Sequence, residues 1–226
     1  MVKPKEGFPA EVDEQFDEVG DQHQSGSLNT PLRQGAFDLD EKEKMAIIEA
    51  HFADIMHTLG LDLTDDSLKG TPRRVAKMFV QEIFAGLSPE RAPRISVFDN
   101  KYDYRRMLVE KNIQVTSTCE HHFLPIFGRA HVGYISSGKV IGLSKINRIV
   151  DYYARRPQVQ ERMTRQILEA LKEALDTEDV IVVIDAKHMC VHARGVQDTE
   201  STTLTVEFSG AFEDQETRQE FLGYLK

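Results

Sequence analysis

The fold is decided by Ile113-Gln114-Val115-Thr116-Ser117-Thr118 and by Val180-Ile181-Val182-Val183-Ile184-Asp185. The first stretch alternates apolar and polar residues, which is typical of a β-strand. The second is apolar almost throughout, β-branched and short, and therefore also predicts a strand.

Further strands and helices surround these two segments. Residues 130–135 are β-rich with Gly133 inside them, residues 139–143 are short and apolar, and Leu204, Val206 and Phe208 mark one face of another strand. Helices are predicted over 144–155, with Ser144 as the N-cap, over 159–175, and over 215–225. The order β-β-β-α-α-β-β favours an α+β fold, with an antiparallel sheet and two helices on one face.

Before this core, the pattern indicates a helical extension and a tail. A first helix begins at Asp40 and ends before Gly60, and a second opens at Thr71-Pro72 and ends near Gly86. The apolar residues of the first helix recur at steps of three and four: Met45, Ile48, Phe52, Ile55 and Leu59. We expect residues 1–39 to form a solvated, mobile acidic tail, residues 40–92 a helical region, and residues 93–226 the main domain.

Composition narrows the class of protein. The 226 residues carry 37 acids against 28 bases, a net charge of −9, which argues against a general nucleic-acid binder. The start of the chain has no apolar signal region, and no run reaches the roughly 18 apolar residues of a membrane span. We therefore expect a cytoplasmic protein that binds neither nucleic acid nor membrane.

The two cysteines of the chain each lie close to histidines, in Cys119-Glu120-His121-His122 and in His188-Met189-Cys190. Thiolate and imidazole together suit Zn²⁺, and three protein ligands with a fourth position left to water would make the ion catalytic. A tight turn could bring Cys119 and His122 onto one ion, whereas an extended strand would favour His121. Spacing leaves that choice open, and a single disulfide or two ordinary buried cysteines are the alternatives.

Basic residues form a second concentration. Ser144 and Lys145 stand at a predicted helix N-terminus, where backbone N–H groups favour anions, and Arg148 follows one turn later. The other cations are Arg74, Lys77 and Arg194. Together they could hold a polyphosphate. The Walker pattern is absent, so a nucleotide would have to be held in another way.

A carboxylate and an amide open the helix over 159–175. Gln160 and Glu161 could be ordinary residues of a helix start. A functional carboxylate here could instead accept two hydrogen bonds from guanine, from N1–H and the 2-amino group, which adenine does not offer.

Several motifs resemble the GTP cyclohydrolase I family. They are Thr-Ser-Thr-Cys-Glu-His-His-Phe at 116–123, Val-Ile-Gly-Leu-Ser-Lys-Ile-Asn-Arg at 140–148, Arg-Arg-Pro-Gln-Val-Gln-Glu-Arg at 155–162 and His-Met-Cys-Val-His-Ala-Arg-Gly at 188–195, with Thr-Pro-Arg-Arg-Val-Ala-Lys-Met at 71–78. The resemblance implies a tunnelling-fold subunit in a homodecamer. It also implies zinc-dependent hydrolysis of GTP to 7,8-dihydroneopterin triphosphate and formate, the first step of pterin and tetrahydrofolate biosynthesis.

Position by position, the resemblance implies a complete site. The implied zinc ligands are Cys119, His122 and Cys190; His192 falls where the family pattern is variable and is not among them. His121 and His188 move protons, and Ser144 assists near the ribose. The implied substrate-binding residues are Arg74, Lys77, Lys145, Arg148, Gln160, Glu161 and Arg194.

Two other functions compete with this one. The first is a tunnelling-fold enzyme that reduces a nitrile with NADPH and uses cysteine as a nucleophile, without zinc. The second is a structural zinc module, in which a fourth ligand such as His192 would close the site.

Overall fold

The computed structural model describes residues 27–226. The predicted tail therefore lies outside the described residues up to residue 26, and its remainder, 27–39, contains turns but no helix or strand. Within the described part, no helix combines the length and the apolar character needed to cross a membrane.

A five-stranded sheet forms the centre of the protein, in the order β5-β2-β3-β6-β7. This arrangement confirms the predicted α+β class. The pairs β2–β3, β3–β6 and β6–β7 are antiparallel, as expected, but β5 runs parallel to β2. The strands are β2 (Met107–Cys119), β3 (Pro125–Ile135), β5 (Pro157–Gln158), β6 (Val180–His188) and β7 (Thr203–Phe208).

The short strand predicted over 139–143 does not join this sheet. It is β4 (Lys139–Ile141), and it pairs with β1 (Val97–Asp99) in a separate antiparallel ribbon. The partner strand β1 has all three residues exposed, so its sequence lacks the buried face that makes a strand recognisable.

The two predicted helices cover one face of the sheet. They are α3 (Leu143–Ala154) and α4 (Gln160–Leu175), and their buried residues share one core with β2, β3 and β6. The prediction of Ser144 as N-cap was wrong. The helix begins one residue earlier, its N-cap is Gly142, and no side chain caps it.

The C-terminal segment covers part of the opposite face. Ile181 and Val183 pack there against Phe212 and Phe221, whereas Val182 and Ile184 belong to the core under the helices. Strand β6 is therefore buried on both faces, which explains its continuous apolar run. A single helical turn, α5 (Met189–His192), follows β6. The last helix is α6 (Gln215–Gly223), which comes after the 3-10 turn Gly210–Glu213.

The glycine inside β3 makes room for this second layer. A Cβ atom at Gly133 would lie 2.7 Å from the ring of Phe221 and 2.9 Å from the side chain of Ile181. The absence of a side chain therefore allows α6 to approach the sheet closely.

The N-terminal helices form as predicted, with different ends. Helix α1 (Glu41–Thr58) begins with a capping box, in which Asp40 accepts from the Glu43 N–H at 2.8 Å and Glu43 accepts from the Asp40 N–H at 2.9 Å. Ile55 and Leu59, predicted as packing residues, are 51% and 72% exposed. The helix nevertheless buries Met56, which lies beside the predicted stripe.

The second helix is shorter than its apolar pattern suggested. It is α2 (Thr71–Met78), it continues as a π-helical turn (Phe79–Ile83), and two 3-10 turns follow (Ala85–Leu87 and Pro89–Arg91). Thr71 is its first residue rather than its N-cap, which is Gly70.

Gly86 holds this helical region against the end of α3. Its N–H donates to the carbonyl of Arg155 at 3.0 Å, and the Arg155 guanidinium donates to the Glu82 carbonyl at 3.1 Å. A Cβ atom at Gly86 would lie 2.0 Å from the Tyr152 carbonyl oxygen and 2.9 Å from that of Arg155. Both obstructing atoms belong to the backbone, so moving either of them would require the helix itself to shift.

We therefore expect Gly86→Ala to destabilise the protein by about 1–3 kcal/mol, because the methyl group forces the helical region away from α3. Thermal and urea unfolding would measure this. Gly223→Ala is the matched control, since a Cβ atom there meets nothing within 4 Å. Equal unfolding midpoints for the two variants would contradict the close packing at Gly86.

Candidate metal centre

The turn between β2 and β3 carries the first cysteine and two histidines. Strand β2 ends at Cys119, and the Cys119 N–H donates to the Leu124 carbonyl at 2.8 Å while the Phe123 N–H donates to the Cys119 carbonyl at 2.9 Å. Phe123 has a left-handed backbone, with φ of +54°, which reverses the chain. This tight turn is the geometry that lets Cys119 and His122 face one point.

The second cysteine reaches the same point from β6. That strand ends at His188, which is paired with Ile126 near the start of β3. The chain then makes the single helical turn α5, which carries Cys190. The ligand atoms of Cys119, His122 and Cys190 all lie within 4.8 Å of one another.

This group fits a tetrahedral divalent ion. Bond lengths of about 2.3 Å to sulfur and about 2.0 Å to nitrogen place two ligand atoms roughly 3.5–3.8 Å apart. The Cys119 Sγ and His122 Nδ1 atoms are 3.9 Å apart. Only small movements would close the group around an ion, and both cysteines are free thiols, so the alternative of a disulfide was wrong.

The electrostatics of the cysteine pair also favour a cation. Burial, followed by the neighbouring Cys119, raises the pKa of the Cys190 thiol. Two thiolates side by side are unfavourable without a compensating charge, and a bound divalent ion supplies that charge.

The three remaining histidines of these segments differ in their surroundings. His121 Nδ1 lies 3.8 Å from Cys119 Sγ, but His121 is not part of the three-residue group, so the structure favours His122 as the ligand. His192 is bonded to the Ser201 carbonyl at 3.0 Å and is also outside the group. Residues 189–192 are helical, so Cys190 and His192 do not lie on one face of an extended strand.

His188 lies between a buried amide and a carboxylate. Its Nε2 atom is 2.8 Å from Gln160 Oε1. Burial lowers the pKa of His188, and the nearby carboxylate of Glu161 partly opposes this effect. Gln160 is only 2% exposed, whereas Glu161 is exposed. The amide therefore lies in the protein interior and the carboxylate lies at the surface.

A buried ion pair supports the metal-binding turn. Arg162, whose side chain is 4% exposed, pairs with Glu120, whose side chain is 26% exposed, and also donates to Gln158 Oε1 at 3.2 Å. The Glu120 N–H donates to the Gln158 carbonyl at 3.1 Å. Sequence reasoning gave these three residues no role, although Arg162 is a charged residue directly before Met163 of the apolar stripe.

An aromatic contact connects the turn to the N-terminal region. The rings of Phe84 and Phe123 pack edge to face with centroids 5.3 Å apart, and Phe84 packs in the same way on Phe79. The sequence gave no signal for this contact, because the residues are distant in the chain.

The predicted phosphate-binding residues are exposed or half-buried cations. Arg74 donates to Thr71 Oγ1 at 3.0 Å and to the Ser67 carbonyl at 3.3 Å, and it makes no ion pair with the metal group. The other four predicted cations form no ion pair and no side-chain hydrogen bond among residues 27–226; they are Lys77, Lys145, Arg148 and Arg194. The structure thus leaves their charges available to a ligand.

A family model described as GTP cyclohydrolase I matches residues 48–226 of this chain. The chain belongs to the GTP cyclohydrolase I family. The matched range contains every residue of the metal-binding group, together with both supporting segments, the turn 119–125 and the helical turn α5.

Curated relatives agree with this membership in the GTP cyclohydrolase I family. A protein named GTP cyclohydrolase 1 from Flavobacterium johnsoniae is 63% identical over 211 residues, covering 93% of this chain and 95% of its own. Proteins of the same name from Aeromonas salmonicida and Yersinia pseudotuberculosis are 56% and 54% identical, covering 88% and 86% of this chain and 91% and 88% of their own.

Removing one partner of the Glu120–Arg162 ion pair should destabilise the protein more than removing the other. We expect Glu120→Ala to lower the free energy of unfolding by about 3–5 kcal/mol, because it leaves the buried Arg162 charge unpaired. Arg162→Met should cost clearly less, because the remaining carboxylate of Glu120 is partly solvated. Urea unfolding of the metal-free protein would compare them, and a larger loss for Arg162→Met would contradict the burial of the pair.

Proposed function

We propose that this protein converts GTP to 7,8-dihydroneopterin triphosphate and formate by hydrolysis and ring rearrangement, as the first step of pterin and tetrahydrofolate biosynthesis. The observation that carries the proposal is the convergence of Cys119, His122 and Cys190 in a chain of the GTP cyclohydrolase I family. Two thiols and an imidazole form an incomplete tetrahedral set, which leaves one position for solvent or substrate.

We propose zinc as the ion, because thiolate and imidazole ligands suit it better than any hard cation. When bound, zinc lowers the pKa of a coordinated water, so that hydroxide is available near neutral pH. His192 is engaged with the Ser201 carbonyl, which argues against its closing the site as a fourth ligand. A structural zinc module is therefore the weaker proposal.

Proton transfer is assigned to the histidines beside the ion. Opening of the imidazole ring of guanine requires a proton at N7, and two histidines lie next to the proposed ligands in the sequence: His188, two residues before Cys190, and His121, directly before His122. The Gln160 amide holds the His188 ring in place, with Oε1 2.8 Å from Nε2. Ser144, exposed in the first turn of α3, is assigned to the ribose.

Substrate binding is divided between cations and one carboxylate. The triphosphate is assigned to Arg74, Lys77, Lys145, Arg148 and Arg194. Glu161 is assigned to the guanine edge, since its carboxylate is exposed and makes no hydrogen bond within the described residues. Gln160 was predicted as its partner, but its burial and internal hydrogen bonds favour Glu161 alone as the guanine reader.

We also propose a homo-oligomer, with the family homodecamer as its form. The sheet of one chain ends in β5 on one side and β7 on the other, so both edges are open to pairing. Large apolar side chains are exposed on β7, on α1 and at the C-cap of α1, namely Leu204, Phe208, Ile47, Ile55 and Leu59. The need for two reduced thiols further favours the cytoplasm.

Turnover of GTP tests the proposal directly. We expect the zinc-loaded protein to release formate and to give a fluorescent pterin after oxidation of the product. Cys119→Ser and Cys190→Ser should each lose both bound zinc and activity, because two ligands hold the ion far less tightly than three. Metal content would be measured beside activity. Wild-type protein that contains zinc but makes no product from GTP would reject the function, and full metal content in both variants would reject the ligand set.

The role of Glu161 can be separated from folding. We expect Glu161→Ala to lower kcat/KM for GTP on the order of 10²-fold, because a bidentate, charge-assisted contact with guanine is lost. The preference for GTP over ITP, which lacks the 2-amino group, should fall with it. Glu173→Ala is the control, an exposed glutamate further along the same helix. Unchanged discrimination between GTP and ITP in Glu161→Ala would remove the assigned role.

A further inference from the structure

Both polar atoms of the Gln160 side chain are hydrogen-bonded inside the protein. Its Nε2 atom donates to the Ile184 carbonyl at 3.0 Å and to the Thr203 carbonyl at 2.8 Å. Its Oε1 atom lies 2.8 Å from Nε2 of His188. Each polar atom of this buried amide therefore has a partner.

These partners fix which way the amide points. A carbonyl oxygen can only accept a hydrogen bond, so the NH₂ group must face Ile184 and Thr203. The amide oxygen of Gln160 then faces His188, and because this oxygen can only accept, the His188 Nε2 atom must carry a hydrogen. The conclusion is the same for a neutral and for a protonated ring. Gln160 therefore contacts one ring nitrogen of His188, Nε2, and not the other, Nδ1.

A second set of hydrogen bonds keeps Gln160 in place. The Thr164 hydroxyl donates to the Gln160 carbonyl at 2.7 Å, and Thr205 Oγ1 lies 2.7 Å from Thr164 Oγ1 and 3.1 Å from Gln160 Nε2. Thr164 is completely buried. The backbone and the side chain of Gln160 are thus tied to strands β6 and β7, so the residue has little freedom to turn towards a ligand.

We propose that Gln160 is a positioning residue that holds the His188 ring in one orientation, with its hydrogen on Nε2, and does not itself contact the substrate. The inference deepens the proposed function and rests on it for the role of His188. It replaces the prediction that Gln160 reads guanine. Glu161 is exposed, whereas Gln160 is buried and faces His188.

Kinetics of the zinc-loaded protein distinguish positioning from substrate contact. We expect Gln160→Met, which keeps the volume of the side chain, to lower kcat on the order of 10²-fold, because an unheld ring misplaces its proton. The KM for GTP and the preference for GTP over ITP should stay unchanged. The control is Gln166→Met, another buried glutamine on α4, which does not contact a histidine. A raised KM or a lost preference for GTP in Gln160→Met would overturn the proposal.

A double-mutant cycle tests whether Gln160 acts through His188. If it does, Gln160→Met should add no further loss of kcat to a His188→Ala protein. Independent, multiplicative losses would contradict a positioning role.

A spectroscopic readout tests the ring without turnover. In protein labelled with ¹⁵N-histidine and loaded with zinc, the His188 signals are identified by their disappearance in His188→Ala. We expect long-range ¹H–¹⁵N correlations to show hydrogen on Nε2 in the wild type and a mixture of tautomers in Gln160→Met. Hydrogen on Nδ1 alone in the wild type would refute the inference, even if the protein did not act on GTP. Loss of GTP turnover in the wild type with hydrogen on Nε2 would instead refute only the proposed function.

Discussion

The pairing of β3 with two different strands is the constraint on which the metal-binding group depends. Pro125, the first residue of β3, pairs with Thr118 at the end of β2, and Ile126 pairs with His188 at the end of β6. Both cysteine-bearing segments therefore leave the sheet at the same corner. A slip of one residue in either pairing would turn the side chains to the opposite face and separate the sulfurs.

The register of that corner is held from several sides. Strand β6 is buried on both faces, so a slip would expose apolar residues on one face or the other. Below the turn, the ion pair between Glu120 and Arg162 ties the metal-binding loop to α4. That same helix carries Gln160 and Glu161 in its first turn. One helix thus supports the loop, contacts the histidine to which we assign proton transfer, and presents the proposed guanine contact.

The local sequence pattern predicted most helices and strands correctly, but it did not predict what each of them packs against. The alternation of residues 113–118 and the apolar run 180–185 identified β2 and β6, because the faces that these strands bury are encoded in their own side chains. Ser144 was wrong as the N-cap because the helix already includes Leu143, and Gly142 has the extended backbone of the N-cap position. Ile55 and Leu59 follow a helical stripe correctly but remain exposed in a single chain, since periodicity does not reveal what covers a face.

The family motifs predicted the proposed metal ligands, but they did not predict the side-chain contacts that hold the surrounding residues in place. Spacing alone left His121 and His122 as alternatives, and only the turn at Phe123 and the approach of Cys190 distinguish them. The contacts of Arg162 with Glu120 and of Gln160 with His188 join residues 42 and 28 positions apart. Such pairs depend on how strands and helices meet in space, so no local sequence signal predicts them.

The coordination of the ion is the central claim, and X-ray absorption spectroscopy at the zinc edge of the zinc-loaded protein tests it most directly. We expect a first shell of two sulfur atoms, one imidazole nitrogen and one oxygen from solvent. A shell completed by a second imidazole, or one with fewer than two sulfur atoms, would contradict the open centre formed by Cys119, His122 and Cys190.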